Sequence, residues 1–556
     1  MKSIISALTR TIAGTFNSDI TPELTRPGEK FGDFTTNVAL QLAGRIGRPP
    51  REVADELCQG LRDALKDQVS DISIAGPGFI NITLNDQALI EQAKGAFVKP
   101  DTYKGQVVVA EYSDPNPFKV LHAGHLYTSI VGYAIGSLIE AAGGTVHRVN
   151  FGGDVGLHVG KTMWAMLQEL GGEYPEKLDA ILPEKRSEWM AACYVKGTNA
   201  YEDDPEAKTA IMALNKRVYQ LHEANEQDSP FAKIYWTCRS WSYAAFDAFY
   251  ARIGTPFEKY YPESQTAPVG LQTVREQLAK GVFEESDGAV VFKGEPYGLH
   301  TRVFINSEGI PTYETKDIGL VMLKKQDYNF DRSVVITGNE QEQYMAVVLK
   351  SLEQFAPKLA SATTHLTHGI LKMKGGVKMS SRKGNILRGT DVMEAVARAS
   401  REVTGREDDQ AILGAVKYAF LKQRIGPDII YDPEESVSIE GNSGPYLQYA
   451  HARARSILGK ATTTPRFGVD LQADERSLIR KIGEYPDAWQ RAVNDMMPHH
   501  ICTYLYELAQ VFNRFYEKNK VIGDAREATR LQLVQLYADV LKDGLGTLGI
   551  AAPDRM

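Results

Sequence analysis

Residues 106–151 constrain the fold more than any other stretch of the chain. QVVVAEY (106–112) is a short, β-branched apolar run, the pattern of a strand buried on both faces. From His125 onward, Leu126, Ile130, Ala134, Leu138 and Ala142 recur every four residues and mark one buried face of a helix. Gly143-Gly144 stops that helix, and TVHRVNF (145–151) reads as a second strand. Two buried strands joined through a helix pair in parallel, because a parallel pair needs a crossover of about a dozen residues or more. An α/β domain with a parallel sheet is therefore expected. The turn entering the helix carries Lys119-Val120-Leu121-His122-Ala123-Gly124-His125, which sets two imidazoles at a helix N-terminus.

This domain is expected to run over 101–404. Strand-like segments at GAVVF (288–292) and SVVIT (333–337) are where the sheet should resume, and the aromatic-rich stretch of about 160–285 reads as a mostly helical insertion. Residues 1–100 read as a small α+β module. It holds a helix over REVADELCQGLRDALKD and a hairpin turning at Gly76-Pro77-Gly78, with Pro100-Asp101 as its boundary. From 405 to 556 nearly every pattern is helical. The clearest stripe is Ile501, Tyr504, Leu505, Leu508, Phe512, Phe515 and Tyr516, so a C-terminal all-α bundle is expected.

The 556 residues suit three or four domains, and 43% hydrophobic with 24% charged residues is ordinary for a soluble protein. No apolar run reaches the roughly 20 residues that span a bilayer, so no membrane partner is expected. MKSIISALTRTIAGTF reads as an amphipathic first helix rather than a signal peptide. Cys58, Cys193, Cys238 and Cys502 lie far apart with no CxxC, which argues against zinc or disulfides and for a cytoplasmic setting. The net charge of −7 argues against indiscriminate polyanion binding but leaves room for local phosphate contacts.

The helix N-terminus at His122 offers free N–H groups and partial positive charge, both suited to phosphate. Gly124 permits close approach of a nucleotide. A distant basic loop, Lys378-Met379-Ser380-Ser381-Arg382-Lys383-Gly384-Asn385, supplies cations and hydroxyls able to close over a leaving pyrophosphate. Taken singly, the histidines could be caps and the loop a solvated surface. Together, flanking an α/β unit, they point to nucleotidyl transfer.

These two motifs resemble the HIGH and KMSKS signatures of class I aminoacyl-tRNA synthetases, as HAGH (122–125) and KMSSR (378–382). More narrowly, the chain resembles the arginyl-tRNA synthetase family nearly end to end. The similarity runs through FGDFTTNVAL (31–40), GPGFINITL (76–84), EYSDPNPFKVLHAGHL (111–126), GNSGPYLQYAHARARSIL (441–458) and YLYELAQVFNRFY (504–516). The resemblance implies a Rossmann-like catalytic domain between an N-terminal tRNA-binding domain and an anticodon-binding bundle. It implies arginyl-adenylate formation from ATP and transfer to tRNA(Arg), often with tRNA bound before the first step. Mg²⁺ would arrive with the ATP, no metal would be held tightly by the protein, and the enzyme would act as a cytoplasmic monomer.

By the same resemblance, His122, His125, Lys119 and Lys378 are catalytic, and Gly124, Met379, Ser380, Ser381, Arg382 and His368 contact ATP. Glu111, Asn116, Glu263, Tyr313, Asp317 and Gln341 match the arginine pocket, where carboxylates suit the planar guanidinium fork. Asn37, Tyr446, Tyr449, Arg453 and Arg455 match tRNA contacts. Ser381 stands where the KMSKS pattern has lysine, and Lys119 can present the same charge from beside the histidines. Two other departures are Asp114 for serine in the Ser-Ser-Pro-Asn pattern and Val155 for tryptophan in Gly-Asp-Trp-Gly. A class I synthetase for another amino acid and a non-catalytic tRNA-binding paralogue remain alternatives. A compact nucleotidylyltransferase would not account for the bundle.

Overall fold

A computed structural model describes residues 2–374, 387–405, 407–468 and 470–556. The N-terminal part holds α1 (Lys2–Phe16), β1 (Phe34–Thr36), α2 (Val38–Ile46), α3 (Pro50–Leu65), β2 (Val69–Ala75), β3 (Phe79–Leu84) and α4 (Asp86–Lys94). Its antiparallel sheet has the order β1-β3-β2, with β2 and β3 joined through the Gly76-Pro77-Gly78 turn. Leu42, Val53, Leu57 and Leu61 bury against Ile80 and Ile82 of that sheet.

Next come β4 (Val107–Glu111), α5 (Ala123–Ala141), β5 (Thr145–Gly152), α6 (Leu157–Leu170), α7 (Arg186–Asp203), α8 (Pro205–Glu223), α9 (Pro230–Ile253) and β6 (Lys259–Pro262). They are followed by α10 (Glu263–Leu278), β7 (Glu284–Ser286), β8 (Ala289–Phe292), β9 (Arg302–Ile305), α11 (Tyr313–Tyr328), β10 (Arg332–Gly338), α12 (Glu342–Phe355), α13 (Pro357–Ala362), β11 (Thr363–His368) and β12 (Leu371–Met373). The main sheet is wholly parallel, in the order β11-β10-β4-β5-β6. The chain winds outward from β4 to β6, then returns to the other side of β4 with β10 and β11. The strand order reverses between β4 and β10, and in such sheets ligands bind in the crevice outside the strand ends at that point.

The four-residue repeat holds, since Leu126, Ile130, Ala134, Leu138 and Ala142 are all buried. Two expectations are corrected. The parallel sheet resumes at β6, where Val149 pairs with Lys259, and not at 288–292. Residues 289–292 do form a strand, but in a separate antiparallel sheet of order β7-β8-β9, because their neighbours in sequence fold back on them. Glu263, read as part of the insertion, therefore opens the helix that directly follows a sheet strand.

The C-terminal part holds α14 (Gly389–Thr404), α15 (Asp409–Leu421), β13 (Ile429–Tyr431), α16 (Pro433–Ser436), α17 (Gly444–Lys460), α18 (Ala473–Ile482), α19 (Tyr485–Asp495), α20 (His499–Lys518) and α21 (Glu527–Thr547). β13 pairs in parallel with β12. Along α20, Ile501, Tyr504, Leu505, Leu508, Phe512 and Phe515 are buried, whereas Tyr516, at the edge of the expected stripe, is 38% exposed. α18 also clasps the N-terminal part. Arg476 and Arg480 reach the buried Asp33 at 2.8 and 3.2 Å, Arg476 also meets Asp86 at 2.8 Å, and Arg26 meets Asp487 at 2.9 Å.

Candidate active site

A cavity of about 860 Å³ opens at the β4/β10 switch point. Glu111 at the end of β4, Thr337 and Gly338 at the end of β10, and His368 at the end of β11 all line it. The loop leaving β4 turns sharply, with Ser113, Asp114 and Phe118 in the left-handed region at φ 77°, 51° and 67°. Such conformations cost of order 1–3 kcal/mol each and persist where surrounding structure enforces them. Here the enforcement is hydrogen bonding. Asp114 Oδ1 accepts from the Phe151 N–H at 2.8 Å, and Asn116 Oδ1 accepts from the Gly153 N–H at 2.7 Å. A Cβ on Gly153 would lie 2.6 Å from Asn116 Oδ1 and 2.9 Å from Glu263 Oε1, so only glycine lets both acceptors approach.

The loop delivers His122 and His125 to the start of α5. His122 caps the helix: its Nδ1 accepts from the Gly124 N–H at 3.1 Å, and His125 Nδ1 accepts from the His122 N–H at 3.1 Å. The two rings stack with centroids 3.7 Å apart. Burial, then the Lys119 charge, lowers His122 to about 4, and burial with His122 and Lys119 holds His125 well below its ordinary value. Both imidazoles are thus neutral near pH 7. Because each Nδ1 is an acceptor, the ring proton must sit on Nε2. The pair is a fixed set of two Nε2–H donors at the positive end of a helix, suited to an anion whose charge grows during reaction. Gly124 is required for this, since a Cβ there would lie 2.8 Å from both His122 Cε1 and Nδ1. Thr128, one turn on, donates to the Gly124 carbonyl at 2.8 Å and meets His368 Nε2 at 2.6 Å, while His368 Nδ1 donates to the Gly369 carbonyl at 2.8 Å.

Acids also line the cavity. Glu111 pairs with Lys324, and Glu263 pairs with Lys316; all four side chains are buried. Asp317, one helical position on from Lys316, accepts from the Tyr344 hydroxyl of α12. Burial, reinforced by the Glu111 charge and opposed by the Tyr344 bond, raises Asp317 to about 8. Asp114 is likewise held well above the carboxylate range, by burial first and then by Glu111. Tyr313 opens α11 and is 57% exposed, and Gln341 closes the short turn before α12. The arrangement therefore offers an anion-binding edge at the histidines beside a cation-binding wall.

Among the residues expected from sequence, Glu111, Asn116, Glu263, Tyr313, Asp317, Gln341, His122, Gly124, His125 and His368 all line this one cavity. Lys119 stands with its Nζ 4.8 Å from the Tyr194 ring of α7. Lys378, Met379, Ser380, Ser381 and Arg382 lie outside the described residues. Leu387 and Gly389 join the turn at the histidines, where the Ala123 N–H donates to the Leu387 carbonyl at 2.8 Å and the Gly389 N–H to the Leu121 carbonyl at 3.0 Å. Val155 is buried with Phe118 and Val159 in the core of the helical excursion. Asn37 is exposed at the start of α2. On α17, Tyr449 is 40% exposed with the Arg453 guanidinium 5.1 Å from its ring, while Arg453 also lies 5.9 Å from Tyr516. Tyr446 accepts from Asn513 at 2.8 Å, and Arg455 pairs with Asp554 at 3.2 Å.

The structure adds residues that sequence reasoning missed. Lys316, Lys324 and Tyr344 neutralise or bond the acids, and Asp154 ties the β5 loop to Arg239 at 2.9 Å and to the Ser264 hydroxyl at 2.7 Å. Lys316 carried a signal through its place beside Asp317 in PTYETKDIG, and Asp154 through its place in the Gly-Asp-Trp-Gly pattern.

Three family models match the chain. "tRNA synthetases class I (R), catalytic domain" covers 86–431, "Arginyl tRNA synthetase N terminal domain" covers 2–84 and "DALR anticodon binding domain" covers 447–556. An arginine–tRNA ligase of Flavobacterium psychrophilum is 31% identical over 86% of this chain and 85% of its own, and that of Phocaeicola vulgatus is 29% identical over 100% and 98%. In fold, the chain is similar to Thermus thermophilus arginyl-tRNA synthetase, with TM-score 0.79 and 24% identity over 100% of both chains. The Plasmodium falciparum arginyl-tRNA synthetase gives TM-score 0.80 and 21% identity over 100% of this chain and 99% of its own. With the catalytic-domain model matching more than half of its residues, the chain belongs to the arginyl-tRNA synthetase family of class I.

Proposed function

We propose that the enzyme attaches L-arginine to tRNA(Arg) at the expense of ATP, through an arginyl-adenylate, releasing AMP and pyrophosphate. The observation that carries this reading is one cavity with two neutral Nε2–H donors on its edge and a wall of buried carboxyls beside them. In the first step the arginine carboxylate attacks the α-phosphate of ATP. His122 and His125 donate to phosphate oxygens as charge develops, and Lys119 supplies the point charge that Ser381 cannot. Lys378, Met379, Ser380, Ser381 and Arg382 act on the departing pyrophosphate, and Gly124 and His368 complete the nucleotide site. In the second step the terminal ribose hydroxyl of tRNA takes the arginyl group. No enzyme nucleophile is needed, so positioning and electrostatics carry both steps.

Asp317, Glu263 and Tyr313 form the guanidinium end of the pocket, with Glu111, Asn116 and Gln341 around the rest of the amino acid. A site of paired acids rejects citrulline, which would leave them unmatched, by about 10⁴-fold or more. Mg²⁺ arrives on the ATP phosphates, as it binds few protein ligands and keeps its waters. tRNA is held through phosphates and unstacked bases, with Asn37 on the N-terminal part and Tyr446, Tyr449, Arg453 and Arg455 on α17. One chain acts alone, in the cytoplasm; its four buried free cysteines fit a reducing compartment.

Charging of total tRNA with each amino acid, beside a His125→Ala variant, tests the reading. Arginine alone should be charged, and the variant should lose roughly 10²–10³ in kcat. Charging of a different amino acid would refute the arginine assignment, and an unimpaired variant would refute the role of the histidines.

A further inference from the structure

The acids lining the cavity outnumber the cations beside them. Glu111 is matched by Lys324, Glu263 by Lys316 and Glu314 by Arg302. Glu340 is exposed at the rim, where water serves it. Among the described residues, two sheltered carboxyls on the cavity wall have no cation of their own, Asp114 and Asp317. An anion withdrawn from water without a counter-charge is costly, so such a pair marks where a ligand's positive charge belongs. Free arginine carries two positive groups, a guanidinium at its far end and an ammonium on the carbon next to the reacting carboxylate.

The two acids divide between these groups by position. The substrate carboxylate must meet a phosphate held at the histidines, so the ammonium lies near them and the guanidinium farther away. Asp317 comes from α11 and is bonded by Tyr344 of α12, so it is held by elements other than the loop that carries the histidines. Asp114 lies on the loop that carries the histidines, eight residues before His122. Its left-handed backbone, φ 51°, and the bond from the Phe151 N–H to Oδ1 fix the carboxylate while leaving Oδ2 for a ligand. The Ser-Ser-Pro-Asn pattern that the chain otherwise resembles has serine here. We propose that Asp114 is the partner of the substrate's α-ammonium group and sets this site's preference for an amino acid over the same guanidino acid without its amine. This rests on arginine being the substrate.

The test uses the full-length enzyme in a tRNA-charging assay, with 5-guanidinopentanoate, which is arginine without its α-amino group, as competitive inhibitor. Asp114→Asn keeps an oxygen for the Phe151 N–H but removes the charge. Asp114→Ser is a second variant in case the first does not fold. In both, the arginine KM should rise about 10- to 100-fold, the range of a charge-assisted hydrogen bond, while the inhibition constant of the analogue stays within about twofold. An unchanged arginine KM would overturn the assignment. So would an analogue constant rising in parallel, as a purely structural role of the Phe151 bond would produce. Failure of the unaltered enzyme to charge arginine at all would overturn the parent reading as well, so the two failures are told apart.

Discussion

Gly124→Ala separates catalysis from stability at one atom. The new Cβ would fall 2.8 Å from His122 Cε1 and Nδ1, so the ring must swing away. That breaks the 3.1 Å bond from the Gly124 N–H and the 3.7 Å stacking on His125. One positioned Nε2–H donor is lost, and a donor aimed at developing charge accounts for roughly 10²–10³ in kcat, or about 2.7–4 kcal/mol. Stability should hardly change. Losing the cap costs about 1 kcal/mol, and alanine in place of glycine inside a helix returns about 0.5–1 kcal/mol. The assay is steady-state charging at saturating arginine, ATP and tRNA, beside a thermal melt of the same preparation. A kcat within about threefold of the parent would refute the argument that His122 is held for catalysis by its cap. A large drop in melting temperature would show instead that the cap serves the fold.

Asp317 is raised to about 8 in the free enzyme, yet a guanidinium binds only its ionised form. kcat/KM for arginine should therefore be full above about pH 8 and fall by up to about tenfold per unit below it. Asp317→Asn should make that limb shallower, leaving the part that Asp114, also raised by burial and by Glu111, contributes, and a parent profile flat from about pH 6 to about 8.5 contradicts the assignment. Asp33→Ala leaves Arg476 and Arg480 without their shared partner and removes the 2.8 Å bond to the Leu84 N–H. Because Arg476 keeps Asp86 and Arg480 keeps Glu484, a cost of about 1–3 kcal/mol is expected, read as early protease cleavage between the N-terminal part and β4, with no change in cleavage as the contrary result. Tyr449→Ala removes a stacking face at the Arg453 cluster and should raise the tRNA KM by about 1–3 kcal/mol equivalents without altering the KM for ATP. An unchanged tRNA KM would show that this face of α17 does not meet tRNA.

Much of the site was readable because its chemistry is local. His122, Gly124 and His125 fall within four residues at a change from strand to helix period, and the cap that fixes their tautomers is made within that same turn. What escaped depended on distance along the chain. Nothing near Lys324 announces that it will meet Glu111, 213 residues away, and Tyr344 reaches Asp317 across two helices. The misreading of 288–292 has another cause. A short β-branched run looks alike in a buried parallel strand and in a small antiparallel sheet, and β6 and β8 share both a length of four residues and the same division between partly and fully buried positions. Composition therefore favoured the wrong segment, because Ala-Val-Val-Phe reads as a strand while Lys-Tyr-Tyr-Pro carries a charge and ends in proline.

The clasp between α18 and the N-terminal part also has a consequence in time. Asp33 lies 443 residues before Arg476, so at about 5–20 residues per second it leaves the ribosome roughly 20–90 s before the arginine that pairs with it. Throughout that interval its carboxylate has the Leu84 N–H and water as partners but no counter-charge from α18, so this module is completed only by a helix made much later.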